Sequence, residues 1–213
     1  TSTTSSPGAR PCCATKAATR TFTSSRTFGE MAFPSMIWAV TVDHGVVIYD
    51  LRQGLASYAP GTDRPEGLVQ AKDISLMADA SVLWCDGTDR VHRGDPAVLF
   101  VPQHEGVDLR HINALTVDRK GRIWLATPQG IFHHGAGFTD QLKMTRLALE
   151  QDPNMQVVCL REDAEGSMWA GTFGNGVFRI RDNGEVTRFA EKDGLSNNSV
   201  LSIRIQGKRL WFA

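Results

Sequence analysis

Arg110, His111 and Asn113, in "RHIN", set a guanidinium, an imidazole and a carboxamide within four consecutive residues. Such directional donors and acceptors suit a hydroxyl-rich ligand. His44 ("TVDHG"), Gln129 ("TPQG"), Asn175 ("TFGNG") and the pair Asn197 and Asn198 ("LSNNS") repeat the theme in turn-like surroundings. Asn and Gly in short turns also serve positive φ and local backbone bonds, so these residues have a structural use as well. Groups for bond-breaking chemistry are harder to find. The chain contains no HExxH, GxSxG or P-loop pattern. His133 and His134 are adjacent, and neighbours in a strand point to opposite faces, so they do not share one ion. The four cysteines include no CxxC pair: Cys12 and Cys13 are adjacent, while Cys85 and Cys159 sit in apolar runs and read as buried free thiols. Neither a metal nor a cofactor is expected.

Composition narrows the field further. Lys plus Arg equals Asp plus Glu at 23 each over 213 residues, so the basic excess that a nucleic-acid backbone attracts is missing. No apolar run approaches the roughly 18 residues that span a bilayer. Residues 1–29 hold Arg10, Lys16, Arg20 and Arg26 but no acid, and 13 of them are Ser or Thr. That composition buries too little to fold alone and reads as a poorly ordered tail, with no apolar core for a signal peptide.

The elements that must position these groups announce themselves through tryptophan. Trp38, Trp84, Trp124, Trp169 and Trp211 are spaced 46, 40, 45 and 42 apart, and each follows an aliphatic residue or Met. Thr41, Thr127 and Thr172 stand three residues after their tryptophans. Each unit reads as four short strands. In the third these are "INALTVD", "RIWLAT", "IFHH" and "MTRLAL", with "DRKG" as the first turn. In "RIWLA" the residues Ile123 to Ala126 are all apolar, so both faces of that strand are buried. Four antiparallel strands per unit of 40 to 46 residues, covered on both faces, predict an all-β fold: a β-propeller with five repeats, the last incomplete. The predicted blades run over 30–63, 64–102, 103–151, 152–190 and, in part, 191–213. The unfinished last unit reads as part of a larger propeller.

"INALTVDRKGRIWLATPQGIF", "VVCLREDAEGSMWAGTFGNGVF" and the linker "DGLSNNSVLSI" resemble the two-component regulator propeller repeat. The resemblance implies a bacterial signal-transduction protein in which such propellers form the extracytoplasmic or periplasmic sensor region of a hybrid histidine kinase, often one answering to polysaccharide fragments. It implies kinase domains of the parent in cis, a homodimer formed through that parent, and a small molecule or oligosaccharide as ligand. It also orders the strands from the axis outward. That order gathers His44, Arg110, His111, Asn113, Gln129, Asn175, Asn197 and Asn198 on the face of the second turns and inter-blade linkers. Asp118 and Asp163 fall on the opposite face, as turn formers rather than acids or bases. The expected function is non-catalytic ligand sensing. Two alternatives stand beside it: a propeller enzyme similar to the streptogramin lyases, for which His44 or His111 with Glu105 would be the pair, and a protein-interaction scaffold.

Overall fold

Every tryptophan occupies the strand that its apolar neighbours predict. The computed structural model describes residues 36–41, 45–50, 55–58, 72–77, 82–86, 90–93, 98–135, 142–149 and 155–213. The tail at 1–29 and the loop holding His44 lie outside them. A three-stranded antiparallel sheet comes first: β1 (Met36–Thr41), β2 (Gly45–Asp50) and β3 (Leu55–Tyr58). Blade two contains β4 (Asp73–Leu76), β5 (Val82–Cys85), β6 (Val91–Arg93) and β7 (Val98–Phe100). A hairpin follows, β8 (Gln103–His104) and β9 (Val107–Asp108). Blade three is β10 (Ala114–Val117), β11 (Ile123–Thr127), β12 (Gly130–His134) and β13 (Thr145–Arg146). Blade four is β14 (Val157–Glu162), β15 (Met168–Thr172), β16 (Val177–Ile180) and β17 (Val186–Phe189). After one 3-10 turn, Glu191–Asp193, the strands β18 (Ile203–Gln206) and β19 (Arg209–Phe212) pair as a two-stranded sheet.

Within blades two, three and four the strands pair in sequence order, each antiparallel to the next. The first strands β4, β10, β14 and β18 lie one against the next, which makes them the inner strands of a β-propeller. Alternation then explains the apolar tryptophan strands. Ile123 and Leu125 pack with Leu83, Val91 and Phe100 of blade two. Trp124 and Ala126 turn the other way, toward Leu160, Met168 and Ala170 of blade four. Met168 and Ala170 share that second cluster, while Trp169 faces Val200 of the following linker and Ile203 of β18. Each middle strand therefore belongs to two cores.

The Asp-x-x-Gly turn does more than reverse the chain. Gly121 N donates to Asp118 O at 2.9 Å and Gly166 N to Asp163 O at 3.1 Å, with both glycines at positive φ, 76° and 84°. The aspartates then reach inward. Asp118 accepts the amides of Lys120 and Arg122 on Oδ1, and the Trp124 indole N–H (2.9 Å) and Arg122 Nε (2.6 Å) on Oδ2. Asp163 accepts the amides of Glu165 and Ser167 on Oδ1 and the Trp169 indole N–H on Oδ2 at 2.7 Å. Turn and tryptophan, six residues apart, form a staple in each of blades three and four. The buried indole N–H and the buried carboxylate satisfy each other.

Blades are also tied sideways. Asp73 Oδ2 and Ser75 Oγ on β4 accept the amides of Leu115 and Val117 on β10. On the Asp-turn face, Arg119 of blade three donates to Asp163 O and Ala164 O of blade four and pairs with Glu162 at 3.1 Å. Lys120 and Arg122 both reach Asp182. That face is stitched by charge.

Candidate functional site

The opposite face begins with a turn built the same way twice. Thr127 Oγ1 donates to Gly130 O (3.2 Å) and accepts the Gln129 amide (3.1 Å). Thr172 Oγ1 donates to Gly176 O (2.7 Å) and accepts the Asn175 amide (3.1 Å). The Thr three residues after each Trp is thus a turn clamp. An arginine from the outermost strand braces each turn: Arg146 Nη2 donates to Gln129 O and Arg188 Nε to Asn175 O. Gly176, at φ 80°, has Phe189 O 2.1 Å from where a Cβ would stand, so a side chain there is excluded.

The linkers close onto these turns. Gly176 N donates to Asn198 O (2.6 Å), Val200 N to Thr172 O (2.8 Å) and Phe173 N to Gln156 O (2.9 Å). The second turn of blade four therefore lies between the linkers that enter blades four and five. Gly171 allows this approach, because a Cβ there would stand 2.4 Å from Val200 O and 2.5 Å from Cys159 Sγ.

Several residues singled out in the sequence have structural duties here. Asn113 Nδ2 donates to Val157 O of blade four, and its Oδ1 accepts Lys72 Nζ from blade two, both at 2.8 Å. Asn197 Oδ1 accepts the Ser199 amide, and Asn198 Oδ1 accepts the Glu191 amide. Gln129 is exposed and Asn175 half-buried in their turns. Arg110 and His111 are exposed on the linker into β10, with His111 at φ 57°. Glu105 sits in the turn of the β8–β9 hairpin, whose Gln103 amide and carbonyl bond to Leu142 and Met144 at the outermost edge of blade three. His111 instead leads into the inner strand β10, so the two are carried at opposite edges of one sheet.

His133 and His134 divide as alternation demands. His133 stands opposite Trp124 in the register, with ring centroids 5.2 Å apart, while His134 Nδ1 lies 2.8 Å from Lys143 O. His92 holds the equivalent place beside Trp84, stacked at 3.7 Å. Arg179 does so beside Trp169.

Near the axis the structure assembles a group that local sequence did not reveal. Burial pushes the Asp73 carboxyl up, against the opposing pull of Arg161 and of the Leu115 and Ile74 amides. Cys159, on the same strand as Arg161, has its thiol pushed up to about 11, chiefly by burial, which makes it an inert packing group. Asp73 comes from blade two, Arg161 and Cys159 from blade four. Nothing within "AKDISL" or "VVCLRED" signals that the Arg161 charge acts on Asp73 of another blade. Among the described residues no cluster of His, Cys, Asp and Glu has the arrangement of a metal site, and no helix is long and apolar enough to cross a membrane.

Residues 151–174 match the family model described as Two component regulator propeller, which bears out the resemblance read from the repeat. No curated protein matches the chain. Among solved structures it is similar to virginiamycin B lyase from Staphylococcus aureus crystallised with quinupristin, at 13% identity and a TM-score of 0.65 over 84% of this chain and 59% of that one. It is similar to the extracellular domain of BT4673 from B. thetaiotaomicron, described as a hybrid two component system, at 19% identity and a TM-score of 0.64 over 85% of this chain and 25% of that one. YCF48 from Cyanidioschyzon merolae matches at 11% identity and a TM-score of 0.63, over 84% of this chain and 61% of that one. The chain thus spans less than two thirds of each, and at these identities the likeness establishes the β-propeller fold.

Proposed function

We propose that this propeller is the sensing module of a two-component signal-transduction protein, binding a ligand on the linker face without transforming it. The observation that carries the reading is the match of residues 151–174 to the two component regulator propeller repeat. The extracellular domain of BT4673, which shares the fold, supports an extracytoplasmic placement. The face itself supports binding. It offers exposed Arg110, His111 and Gln129 around turns that are already locked by Thr clamps and linker bonds. A preorganised surface loses little freedom when it takes up a ligand, and amide, imidazole and guanidinium groups suit hydroxyls. Carbohydrate is therefore the ligand class, and the signal passes to kinase domains of the parent.

The test is a thermal-shift screen of the chain against an oligosaccharide array, with chromatography of each hit after incubation. A saccharide that raises the melting temperature and is recovered unchanged is the expected result. Recovery of cleaved or eliminated product would overturn the non-catalytic reading.

A further inference from the structure

The linker face carries a feature for which the repeat has no structural use. Phe173, directly after the Thr clamp of blade four, is 60% exposed. Its backbone is among the most restrained on that face. Its amide donates to Gln156 O, the preceding carbonyl of Thr172 accepts Val200 N, and the turn closes through Thr172 Oγ1 and Gly176. Blade three has Pro128, half-buried, at the corresponding place. The fold thus does not require an aromatic side chain there. Leu201, 56% exposed, follows the Val200 that bonds Thr172, so a second apolar side chain rises from the adjoining linker.

The surroundings define what would rest on this ring. Gln156, whose carbonyl accepts the Phe173 amide, and Asn197, next to the Asn198 that bonds Gly176, are exposed. Asn175 of the same turn is half-buried, so both adjoining linkers and the turn carry carboxamides, with Asn197 Oδ1 holding the Ser199 amide. The nearby charges are engaged with backbone. Arg188 donates to Asn175 O, and Glu191 accepts the Asn198 amide. An exposed aromatic ring on a restrained backbone presents a negative π face that attracts polarised C–H groups. Neutral amides around it serve hydroxyls as both donors and acceptors. One ligand class presents both features at ring size, a pyranose with an apolar C–H face and equatorial hydroxyls.

We propose that Phe173 is the stacking platform of a saccharide subsite bordered by Gln156, Asn175 and Asn197. This rests on the carbohydrate reading above and names the residue that recognises the sugar ring. Its backbone is already restrained and its side chain has only two χ angles to order, so binding costs little freedom, which favours affinity.

The experiment titrates the full chain with four neutral probes, cellohexaose, maltohexaose, mannohexaose and xylohexaose, by calorimetry. Wild type is compared with Phe173→Ala and Phe173→Trp. The expected result is binding of at least one probe, a loss of about tenfold in F173A with an unchanged melting temperature, and retained binding in F173W with quenched fluorescence. Wild-type affinity in F173A would overturn the platform while leaving the sensing reading intact. Binding of none of the four by wild type would overturn the subsite for neutral saccharides. A separate thermal-shift response to other compounds would then show whether sensing itself survives. If F173A proves unstable, F173W decides the matter, because a platform tolerates a larger aromatic ring and a role in packing the turn does not.

Discussion

Blades three and four carry the same staple and the same clamp, and their differences are more instructive than their likeness. Both hold an indole N–H on a buried aspartate, and both cap the second turn with threonine. The cation beside the tryptophan, however, arrives by different routes. In blade three it is Arg122, from the strand entrance, 5.3 Å from the ring, with His133 opposite in the register. In blade four it is Arg179, from the facing strand, 5.4 Å from the ring. The position beside the indole is therefore conserved in charge rather than in sequence. Where the blades differ without such compensation, half-buried Pro128 in one gives way to exposed Phe173 in the other. Shape lives in the shared residues, and the recognition proposed above falls to an unshared one.

The largest effect that would test this division is at the tryptophans. Trp124→Ala and Trp169→Ala each empty a nearly sealed site, 4% and 7% exposed, and each should cost about 3–5 kcal/mol in urea denaturation. Trp211, 55% exposed, should lose much less on the same substitution. Equal losses at all three would mean that the tryptophans do not work through burial between blades.

Next come the aspartates. Asp118→Ala abandons four donors, including Arg122 Nε, whereas Asp163→Ala abandons three and a more distant Arg179 at 3.6 Å. Leaving a buried indole N–H unpaired costs about 1–3 kcal/mol, so both variants are destabilised, Asp118→Ala the more. Acid provides an independent probe. Burial works to raise the Asp163 pKa, but the Trp169 indole, the Ser167 and Glu165 amides and Arg179 outweigh it and hold the carboxyl below its ordinary value. A depressed carboxylate pKa contributes stability that is present above the unfolded value, about 3.9, and is lost as pH falls through the folded one. Asp163→Ala should therefore lose less stability than wild type between pH 5 and pH 3.

What the sequence disclosed follows the same division. The staple is local: six residues separate Asp118 from Trp124, and alternation within "RIWLA" already implies two buried faces. Thr127 and Thr172 were visible as markers, and the carbonyls they clamp lie only three and four residues away. The braces from Arg146 and Arg188 span 17 and 13 residues and left no pattern at short range. Asn113 reads as a polar surface residue but is spent on Lys72 and Val157, 41 and 44 residues away. Asp73 comes under the charge of Arg161 only because two blades curve around one axis. Phe173 carries no mark of its own within "TFGNG", since an aromatic in a strand-flanked turn looks like core until its 60% exposure is known.

The smallest expected effect lies at His133, where blade three departs most quietly from blade four. Burial lowers the pKa of its imidazole first, and the Arg122 guanidinium and neighbouring His134 lower it further, while Asp118 acts in the opposite sense. The folded pKa therefore lies below the ordinary value of about 6.5. Below about pH 6.5 the unfolded chain takes up a proton that the folded chain still refuses, so stability declines as pH falls toward the folded pKa and then levels off. Above that window His133 contributes no pH dependence. Blade four has Arg179 at the equivalent place. His133→Gln should flatten part of the decline between pH 7 and pH 5.5 in urea titrations, the remaining histidines being common to both proteins. Parallel pH profiles for wild type and His133→Gln would show that the imidazole titrates alike folded and unfolded, and the arginine of one blade and the histidine of the other would then be equivalent neighbours for an indole.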